Sequence, residues 1–265
     1  MLIGSSCRVD EYEALSSSGY DYAEFPCRAV CEMNERAFKD LCKHVEIVGF
    51  PVLGMNLYCP PEIVIAGTGY CPETIRAYAR KAAERANYLG VQTVGIGSPK
   101  SRIIPTGFNF STAKEQITEF LRITANEFSV FNIQVTLEPL ATFYCNFINS
   151  FKEAYEIVTM ADVDNLGILV DFYNMEHFDE GDMGFESLSN LINHAHISDD
   201  DGSPTLRSYM KPENYSIHEN RIHQLIDSGY KGNLTIEIDI PYDNERAYEN
   251  LRFIKQIIPK TKQKD

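Results

Sequence analysis

Short β-rich segments alternate with amphipathic stretches along the whole chain. Eight segments have the length and the branched or aromatic residues typical of strands, and turn-forming residues bound them. They are Leu2–Ser5, Tyr20–Phe25, Val52–Leu57, Thr93–Gly97, Ile133–Glu138, Gly167–Asp171, His194–Ser198 and Leu234–Ile238. The clearest helical patterns are Pro72–Leu89, Thr112–Phe128, Phe151–Met160, Glu219–Ser228 and Asn244–Ile257. Strands that alternate with helices predict an α/β fold, and eight of them favour a closed (β/α)8 TIM barrel over an open sheet.

Two of the predicted strands show which way their side chains point. In Ile133–Glu138 the residues alternate between apolar and polar, so Glu138 lies on the polar face. In Leu234–Ile238 the same alternation places Glu237 on the polar face. Successive side chains of a strand point to opposite sides, and the apolar side of a barrel strand packs on the surrounding helices. Both glutamates are therefore predicted to point into the barrel lumen.

Four candidate metal ligands lie near the ends of four successive predicted strands. They are Glu138, Asp171, His196 and Glu237, with separations of 33, 25 and 41 residues. Each separation is close to one strand plus one returning helix, a unit of roughly 30 residues. Several buried carboxylates in one lumen repel each other unless a cation neutralises them. Three carboxylates and an imidazole favour one Mn²⁺ ion, with Mg²⁺, Co²⁺ or Zn²⁺ as alternatives, over a purely structural polar network.

Two histidines of one predicted strand share the inward parity, so only one of them is expected at the level of the other ligands. Two residues along a strand correspond to about 6.6 Å of depth. His196 lies nearer the carboxyl end of the strand, where the active sites of such barrels are found. His194 is expected one layer deeper, where it supports the ligand set rather than joining it.

Composition narrows the class of protein. A length of 265 residues suits one barrel domain over residues 1–265, since such barrels typically have about 250 residues. The net charge of −14 argues against a nucleic acid or an anionic membrane as partner. No apolar run reaches the roughly 20 residues that span a bilayer. Seven scattered cysteines without a Cys-x-x-Cys pair, and no recognisable secretory signal, predict reduced thiols in a cytoplasmic protein.

Five short motifs occur in order along nearly the whole chain. They are G-S-P-K-S-R-I-I-P-T-G-F at Gly97–Phe108, L-E-P-L at Leu137–Leu140 with Asn146 after it, L-V-D-F-Y-N-M at Leu169–Met175, H-A-H-I-S-D at His194–Asp199 and G-Y-K-G-N-L-T-I-E at Gly229–Glu237. In these motifs the chain resembles the sugar phosphate isomerase/epimerase family of xylose isomerase-like barrels, which includes ketose 3-epimerases. The resemblance rests on the order of the five motifs and on their positions relative to the predicted strands, rather than on any one motif.

The resemblance implies a mechanism as well as a fold. One divalent ion would be held by the residues that match Glu138, Asp171, His196 and Glu237. Such an ion, chelated by a substrate carbonyl and hydroxyl, acidifies the C–H between them and stabilises an enediolate. Glu138 and Glu237 would then remove a proton from one face of a small carbohydrate and return it to the other. Relatives are often dimers or tetramers, so a homo-oligomer is one expectation.

The sequence departs from the ketose epimerases at three positions. Asn174 stands where they usually have a substrate-binding histidine, Gly202 where they have an arginine, and Tyr144 near a usual glutamate. Asn174 and Tyr144 can still form hydrogen bonds with substrate hydroxyl groups. Arg207 is a candidate replacement for the missing arginine, and a solvated surface arginine is the alternative. These differences favour a substrate other than a free ketose, such as another polyol, an inosose or a keto acid.

Three further residues are candidate substrate contacts. Glu24 and Asn56 end their predicted strands and could bind hydroxyl groups, or could simply be polar residues of the rim. Arg102 follows the fourth predicted strand and could meet a carboxylate or phosphate, or could form a structural ion pair. An acidic segment, Glu176–Gly184, is predicted to form a long loop over the barrel mouth.

The leading hypothesis is a metal-dependent isomerase or epimerase that acts on a small sugar or sugar derivative. A metal-dependent dehydratase of an inosose or keto acid on the same barrel is one alternative. A non-catalytic sugar-binding barrel is the other, because three positions that contact substrate in the ketose epimerases differ here.

Overall fold

Eight short parallel strands follow one another around a closed barrel. The computed structural model describes residues 1–177 and 190–258. The strands are β1 (Ile3–Ser6), β2 (Tyr22–Pro26), β3 (Val52–Asn56), β4 (Thr93–Ile96), β5 (Gln134–Leu137), β6 (Leu166–Asp171), β7 (Ile192–Ile197) and β10 (Asn233–Ile236). Neighbours in the chain are neighbours in the barrel, and β10 pairs with both β7 and β1 to close it. The predicted (β/α)8 barrel is confirmed, and each strand end lies within two residues of its predicted position.

A two-residue ribbon interrupts this order between β7 and β10. It consists of β8 (Asp199–Asp200) and β9 (Arg207–Ser208), which pair in antiparallel fashion. The ribbon folds the segment after β7 back over the carboxyl end of that strand. As a result Arg207, which lies ten residues beyond the end of β7, is returned to the barrel mouth.

Helices surround the barrel on the outside. The five predicted helices are confirmed, and four further helices were not predicted. The helices are α1 (Tyr12–Ser16), α2 (Cys27–Glu32), α3 (Glu35–Val48), α4 (Pro72–Leu89), α5 (Phe110–Ser129), α6 (Phe151–Ala161), α7 (Phe172–Met175), α8 (Tyr215–Asp227) and α9 (Asn244–Ile257). Within residues 1–177 and 190–258, no helix is long and apolar enough to cross a membrane.

The longest unpredicted helix, α3, has clear end signals and one apolar face. The Asn34 side chain accepts a hydrogen bond from the Ala37 backbone N–H at its start, and Gly49 ends it with a left-handed φ of 70°. Only Phe38 and Leu41 of its residues are buried. Cys42, Val45 and Val48 extend this apolar stripe at helical spacing and pack against the core, so both the periodicity and the end signals could have identified the helix.

The interior of the barrel contains polar side chains that bond to one another. Tyr22 and Thr235 place their hydroxyl oxygens 2.7 Å apart across the lumen. Thr235 also donates to a carboxylate oxygen of Glu24 at 2.8 Å. Gly4 leaves the space for the Tyr22 ring, because a Cβ atom on Gly4 would lie 2.4 Å from it. This buried polar layer forms the floor beneath the barrel mouth.

The predicted loop Glu176–Gly184 falls mostly outside the described residues. Glu176 and His177 continue directly from α7, and the remaining positions of that segment lie between residues 178 and 184. The prediction of a loop over the mouth stays a prediction.

Candidate functional site

The four sequence-predicted ligands come together at the carboxyl end of the barrel. Each of Glu138, Asp171, His196 and Glu237 offers one ligand atom, and these four atoms lie within 4.8 Å of one another. All four residues are buried. Glu138 and Glu237 directly follow β5 and β10, and their backbone N–H groups still bond to the neighbouring strands β4 and β7. Asp171 ends β6 and pairs in register with His196 of β7.

His196 presents one free ring nitrogen to this cluster. Its Nε2 lies 2.9 Å from Glu24 Oε1, while its Nδ1 lies 3.4 Å from Glu237 Oε2. Among the described residues, Nδ1 has no hydrogen-bond partner. Because the Glu24 carboxylate can only accept, Nε2 donates to it, and the neutral ring then directs the Nδ1 lone pair at the cluster. A buried nitrogen in this position fits a metal ligand.

Glu24 lies beneath the cluster, between two histidines. Its second oxygen lies 2.8 Å from His194 Nε2. His194 precedes His196 by two residues on β7 and therefore lies one layer deeper in the barrel. Burial raises the pKa of the Glu24 carboxyl, yet His196 and His194 outweigh burial and hold that pKa below its usual range. Gly54 provides the space, since a Cβ there would lie 2.6 Å from Glu24 Oε2. With both oxygens engaged, Glu24 is better suited to orient His196 than to bind a substrate.

Asn174 joins two of the candidate ligands. Its Nδ2 donates to Glu138 Oε1 and to Asp171 Oδ2, each at 2.9 Å. Its Oδ1 accepts from the Ala141 backbone N–H at 3.1 Å. Both donors and the acceptor of the amide are thus engaged, and the side chain is fully buried. The predicted contact with substrate stays a prediction, and the hydrogen bonds favour a residue that positions the two carboxylates.

Arg207 is a buried part of the same cluster. Its guanidinium bonds both oxygens of Asp171 and donates to Ser198 Oγ at 3.1 Å, and its Nη2 lies 3.8 Å from Glu237 Oε2. The Tyr173 ring lies 4.2 Å away, measured from the guanidinium carbon to the ring centroid. With 3% of its surface exposed, Arg207 is not the solvated surface arginine that the sequence left as an alternative. Gly202 lies in the exposed turn between the ribbon strands.

The carboxylates of the cluster differ in their tendency to hold a proton. Burial, together with the charges of Glu237 and Asp171, raises the pKa of Glu138 well above its ordinary value. Burial also acts on Asp171, but Arg207 and His196 outweigh it and lower the pKa of Asp171. In the metal-free protein Asp171 is therefore ionised while Glu138 tends to hold a proton. A bound divalent ion would lower the pKa of Glu138 again, because the charge of the ion favours the carboxylate form.

The charges of the cluster fit a divalent ion. Three ionised carboxylates and the single guanidinium of Arg207 leave two negative charges when His196 is neutral. Glu24 and Glu237 raise the pKa of His196 well above its ordinary value, although burial acts against them. Without a metal, a proton on His196 Nδ1 thus compensates part of the negative charge of the cluster. A metal bound at Nδ1 would displace this proton.

A cavity of about 490 Å³ opens above this cluster. That volume lies within the range of roughly 300–1,000 Å³ found for small-molecule sites. Glu138, Glu237 and Arg207 line it, together with Phe143 and the predicted contact Tyr144. Aromatic rings beside a polar floor suit the alternating apolar and hydroxylated faces of a sugar. The cavity thus brings both proposed acid–base residues to one small-molecule site.

The other sequence-predicted contacts do not line the cavity. Asn56 donates to Glu237 Oε1 at 3.2 Å, so it supports that carboxylate from the side. Arg102 is fully buried, and its three guanidinium nitrogens have no hydrogen-bond partner within residues 1–177 and 190–258. The alternative of a structural ion pair is not found for Arg102 among those residues, and its contact with a substrate stays a prediction.

Sequence reasoning missed two basic residues at the rim of the cavity. Arg28 is the second residue of α2, directly after β2, and Lys100 lies in the short 3₁₀ helix after β4. Both line the cavity. Their position just beyond a strand end was the available signal, since catalytic and binding residues of such barrels come from the loops after the strands.

Gly97 offers a test of whether the position of Glu138 matters. A Cβ atom on Gly97 would lie 2.5 Å from Glu138 Oε2. We expect Gly97→Ala to push the carboxylate aside and lower turnover by about 10²-fold, since a displacement of about 1 Å can cost that much. Measured by thermal unfolding, the loss of stability should be small, because the contact is the flexible end of a side chain. Unchanged turnover would show that Glu138 need not occupy this position.

Comparisons with known proteins agree with the fold. A family model described as the xylose isomerase-like TIM barrel matches residues 12–257. Among solved structures, D-psicose 3-epimerase from Clostridium cellulolyticum H10, determined with D-tagatose, has a TM-score of 0.79 at 15% identity and covers 97% of this chain and 99% of that chain. The 3-keto-D-glucoside 4-epimerase from E. coli has a TM-score of 0.74 at 18% identity and covers 97% of this chain and 99% of that chain.

A third similar structure is named as an endonuclease rather than as an epimerase. The AP endonuclease, family 2, from Brucella melitensis gives a TM-score of 0.70 at 17% identity, with 97% of this chain and 99% of that chain covered. No curated protein matches the sequence. At these identities the likeness establishes the barrel, and the activity has to be argued from the site.

Proposed function

Because the chain belongs to the xylose isomerase-like TIM barrel family, we propose that it is a metal-dependent isomerase or epimerase of a small sugar or sugar derivative. One observation carries the proposal: four buried ligand atoms converge within 4.8 Å, and two of the residues that provide them face one small-molecule cavity. The structurally similar proteins named as sugar epimerases support the same class of reaction.

We propose that Glu138, Asp171, His196 and Glu237 hold one divalent ion, Mn²⁺ by the choice of ligands. The fit rests on the free Nδ1 of buried His196 and on the two negative charges that remain when the three carboxylates are ionised and His196 is neutral. When bound, the ion would polarise the substrate carbonyl and so acidify the neighbouring C–H. Asp171 and His196 serve as ligands only, because neither lines the cavity.

Glu138 and Glu237 are the proposed acid–base pair. Both line the cavity, and they arise from β5 and β10, which are not neighbours in the barrel. A substrate between them would expose opposite faces of one carbon to the two carboxylates. The ionised carboxylate removes the proton and the other, in its protonated form, donates its proton to the opposite face, which inverts the carbon and exchanges the protonation states of the pair. Asn174 holds Glu138 and Asn56 holds Glu237, each through an amide N–H, so both carboxylates are oriented.

A nucleic acid is a poor candidate substrate. The similarity to an endonuclease establishes the barrel only, and the chain has 38 acidic residues against 24 basic ones. A protein that binds the DNA backbone needs a basic surface, because phosphate contacts supply most of the affinity.

The decisive experiment is proton exchange at carbon. Manganese-loaded protein in deuterated water is incubated with ketoses, inososes and keto acids, and NMR detects deuterium at the carbon beside the carbonyl. An epimerase or isomerase incorporates deuterium and yields a product of unchanged composition. A product lighter by one water would identify a dehydratase instead, and tight binding without exchange would indicate a sugar-binding barrel.

Metal binding should also stabilise the fold. At about a hundredfold excess over its Kd, Mn²⁺ is expected to raise Tm by about 5 °C or more, because the ion binds the folded state only. Calorimetry before and after chelation measures the effect, and re-addition of Mn²⁺ is the control for irreversible damage. Identical unfolding curves with and without the ion would argue against the metal site.

A further inference from the structure

Two basic residues of the cavity follow strands that provide none of the candidate ligands. The four candidate ligands come from β5, β6, β7 and β10 or directly follow them, whereas Arg28 follows β2 and Lys100 follows β4. Strands β2, β3 and β4 form a continuous arc of the barrel. The backbone N–H of Arg28 donates to Leu57 O at 3.2 Å, which fixes the start of α2 against the end of β3. The basic arc is thus anchored to the rim.

Neither of these two basic side chains, Arg28 and Lys100, is held by an acidic partner among the described residues. Arg207, the third basic residue of the cavity, differs from them because Asp171 occupies its guanidinium. Two exposed cations that line one cavity without partners leave a site for an anionic group.

We propose that the substrate carries an anionic group, a phosphate or a carboxylate, at the end remote from the reacting carbon, and that Arg28 and Lys100 bind this group. The proposal rests on the proposed function, because it takes the carbon between Glu138 and Glu237 as the reacting one. It departs from the neutral sugars named for the similar epimerases. The arginine is suited to two parallel hydrogen bonds with such an oxyanion, and the lysine to a point contact.

The test compares three probes that differ in charge. D-fructose is neutral, D-fructose 6-phosphate carries a phosphate, and 5-keto-D-gluconate carries a carboxylate far from its ketone. Calorimetric titration of the manganese-loaded protein, freed of excess metal, measures the Kd of each. We expect at least one anionic probe to bind about tenfold or more tightly than D-fructose, and the preference to shrink at high salt. Which anionic probe is preferred distinguishes phosphate from carboxylate.

The double variant Arg28→Gln/Lys100→Gln should reduce this preference to within about twofold. Its matched control is Lys39→Gln/Lys43→Gln, which removes the same charge from exposed positions on α3 and should keep the preference. The proposal is overturned if wild-type protein binds the three probes equally or binds none of them, or if the double variant keeps the preference.

The outcomes separate this proposal from the proposed function. If D-fructose exchanges deuterium but no anionic probe is preferred, the anion site is wrong and the epimerase proposal stands. If an anionic probe is preferred through Arg28 and Lys100 while no probe or ketose exchanges deuterium, the anion site stands and the epimerase proposal fails.

Discussion

Replacement of Glu138 by glutamine is expected to lower turnover by about 10³-fold or more, because general acid–base groups contribute roughly 10²–10⁴ to the rate. Glutamine has nearly the same shape, but its amide cannot accept the substrate proton. It also removes one negative ligand from the cluster. The barrel should remain folded, since the glutamine oxygen can still accept the hydrogen bond that Asn174 donates to Glu138 Oε1.

Deuterium incorporation and thermal unfolding, measured on the same preparation, separate these effects. Glu115→Gln is the matched control, because Glu115 is an exposed residue of α5 outside the cavity. It should exchange deuterium at the wild-type rate. Exchange close to the wild-type rate in Glu138→Gln, with the metal still bound, would remove Glu138 from the proton transfer and leave it a ligand at most.

Strand parity is the reason that the sequence could predict the ligand set. The two-residue period of a strand fixes which side chains point inward, and the strand ends fix the level. From these two facts Glu138, Asp171, His196 and Glu237 were expected together, and the structure places them within 4.8 Å. The fold followed from the same alternation, because eight strands each followed by an intervening segment leave few arrangements other than a closed barrel.

Contacts between distant segments could not be predicted in this way. The sequence leaves Glu24 as a substrate contact or a polar residue of the rim, because its bonds to His194 and His196 join residues 170 and 172 positions apart. Arg207 reaches Asp171 only because the ribbon β8–β9 folds back, and the sequence of a loop does not fix such a geometry. The predicted substrate contact at Asn174 shows the same limit. No pattern along the chain predicts that its amide donates a hydrogen bond to both Glu138 and Asp171.

Arg207 changes the electrostatic argument for a metal without removing it. The sequence suggests that the converging carboxylates require a cation. In the structure the Arg207 guanidinium is one such cation, and it pairs with Asp171. This charge stabilises Asp171 chiefly, since the pKa of Asp171 is lowered whereas that of Glu138 is raised by burial and by Glu237. One guanidinium therefore compensates one carboxylate, and the two that face the cavity still need a counter-charge. A divalent ion meets that need and favours the ionised form of the carboxylate that removes the substrate proton.

The two histidines of β7 allow a matched test of the metal site. Each ring bonds one oxygen of Glu24 through Nε2, at 2.8 Å for His194 and 2.9 Å for His196. Replacing either by alanine removes one imidazole from the same carboxylate and leaves a similar space. Only His196 has a second nitrogen that faces the cluster, 3.4 Å from Glu237.

We therefore expect His196→Ala to weaken Mn²⁺ binding by about 10²-fold or more, and His194→Ala by about tenfold, the lower end for residues that support a ligand. Metal content after dialysis against a fixed free Mn²⁺ concentration gives the ratio. The unfolding of both metal-free variants shows whether their stabilities match, so that a difference in metal content cannot come from a difference in folding. Each substitution removes one imidazole from Glu24, although Oε2 keeps the hydrogen bond from Thr235 in His194→Ala. The Nδ1 atom of His196 is then the largest remaining difference between the two variants. A greater loss of metal from His194→Ala would place the ligand one layer deeper in the barrel and overturn the proposed set.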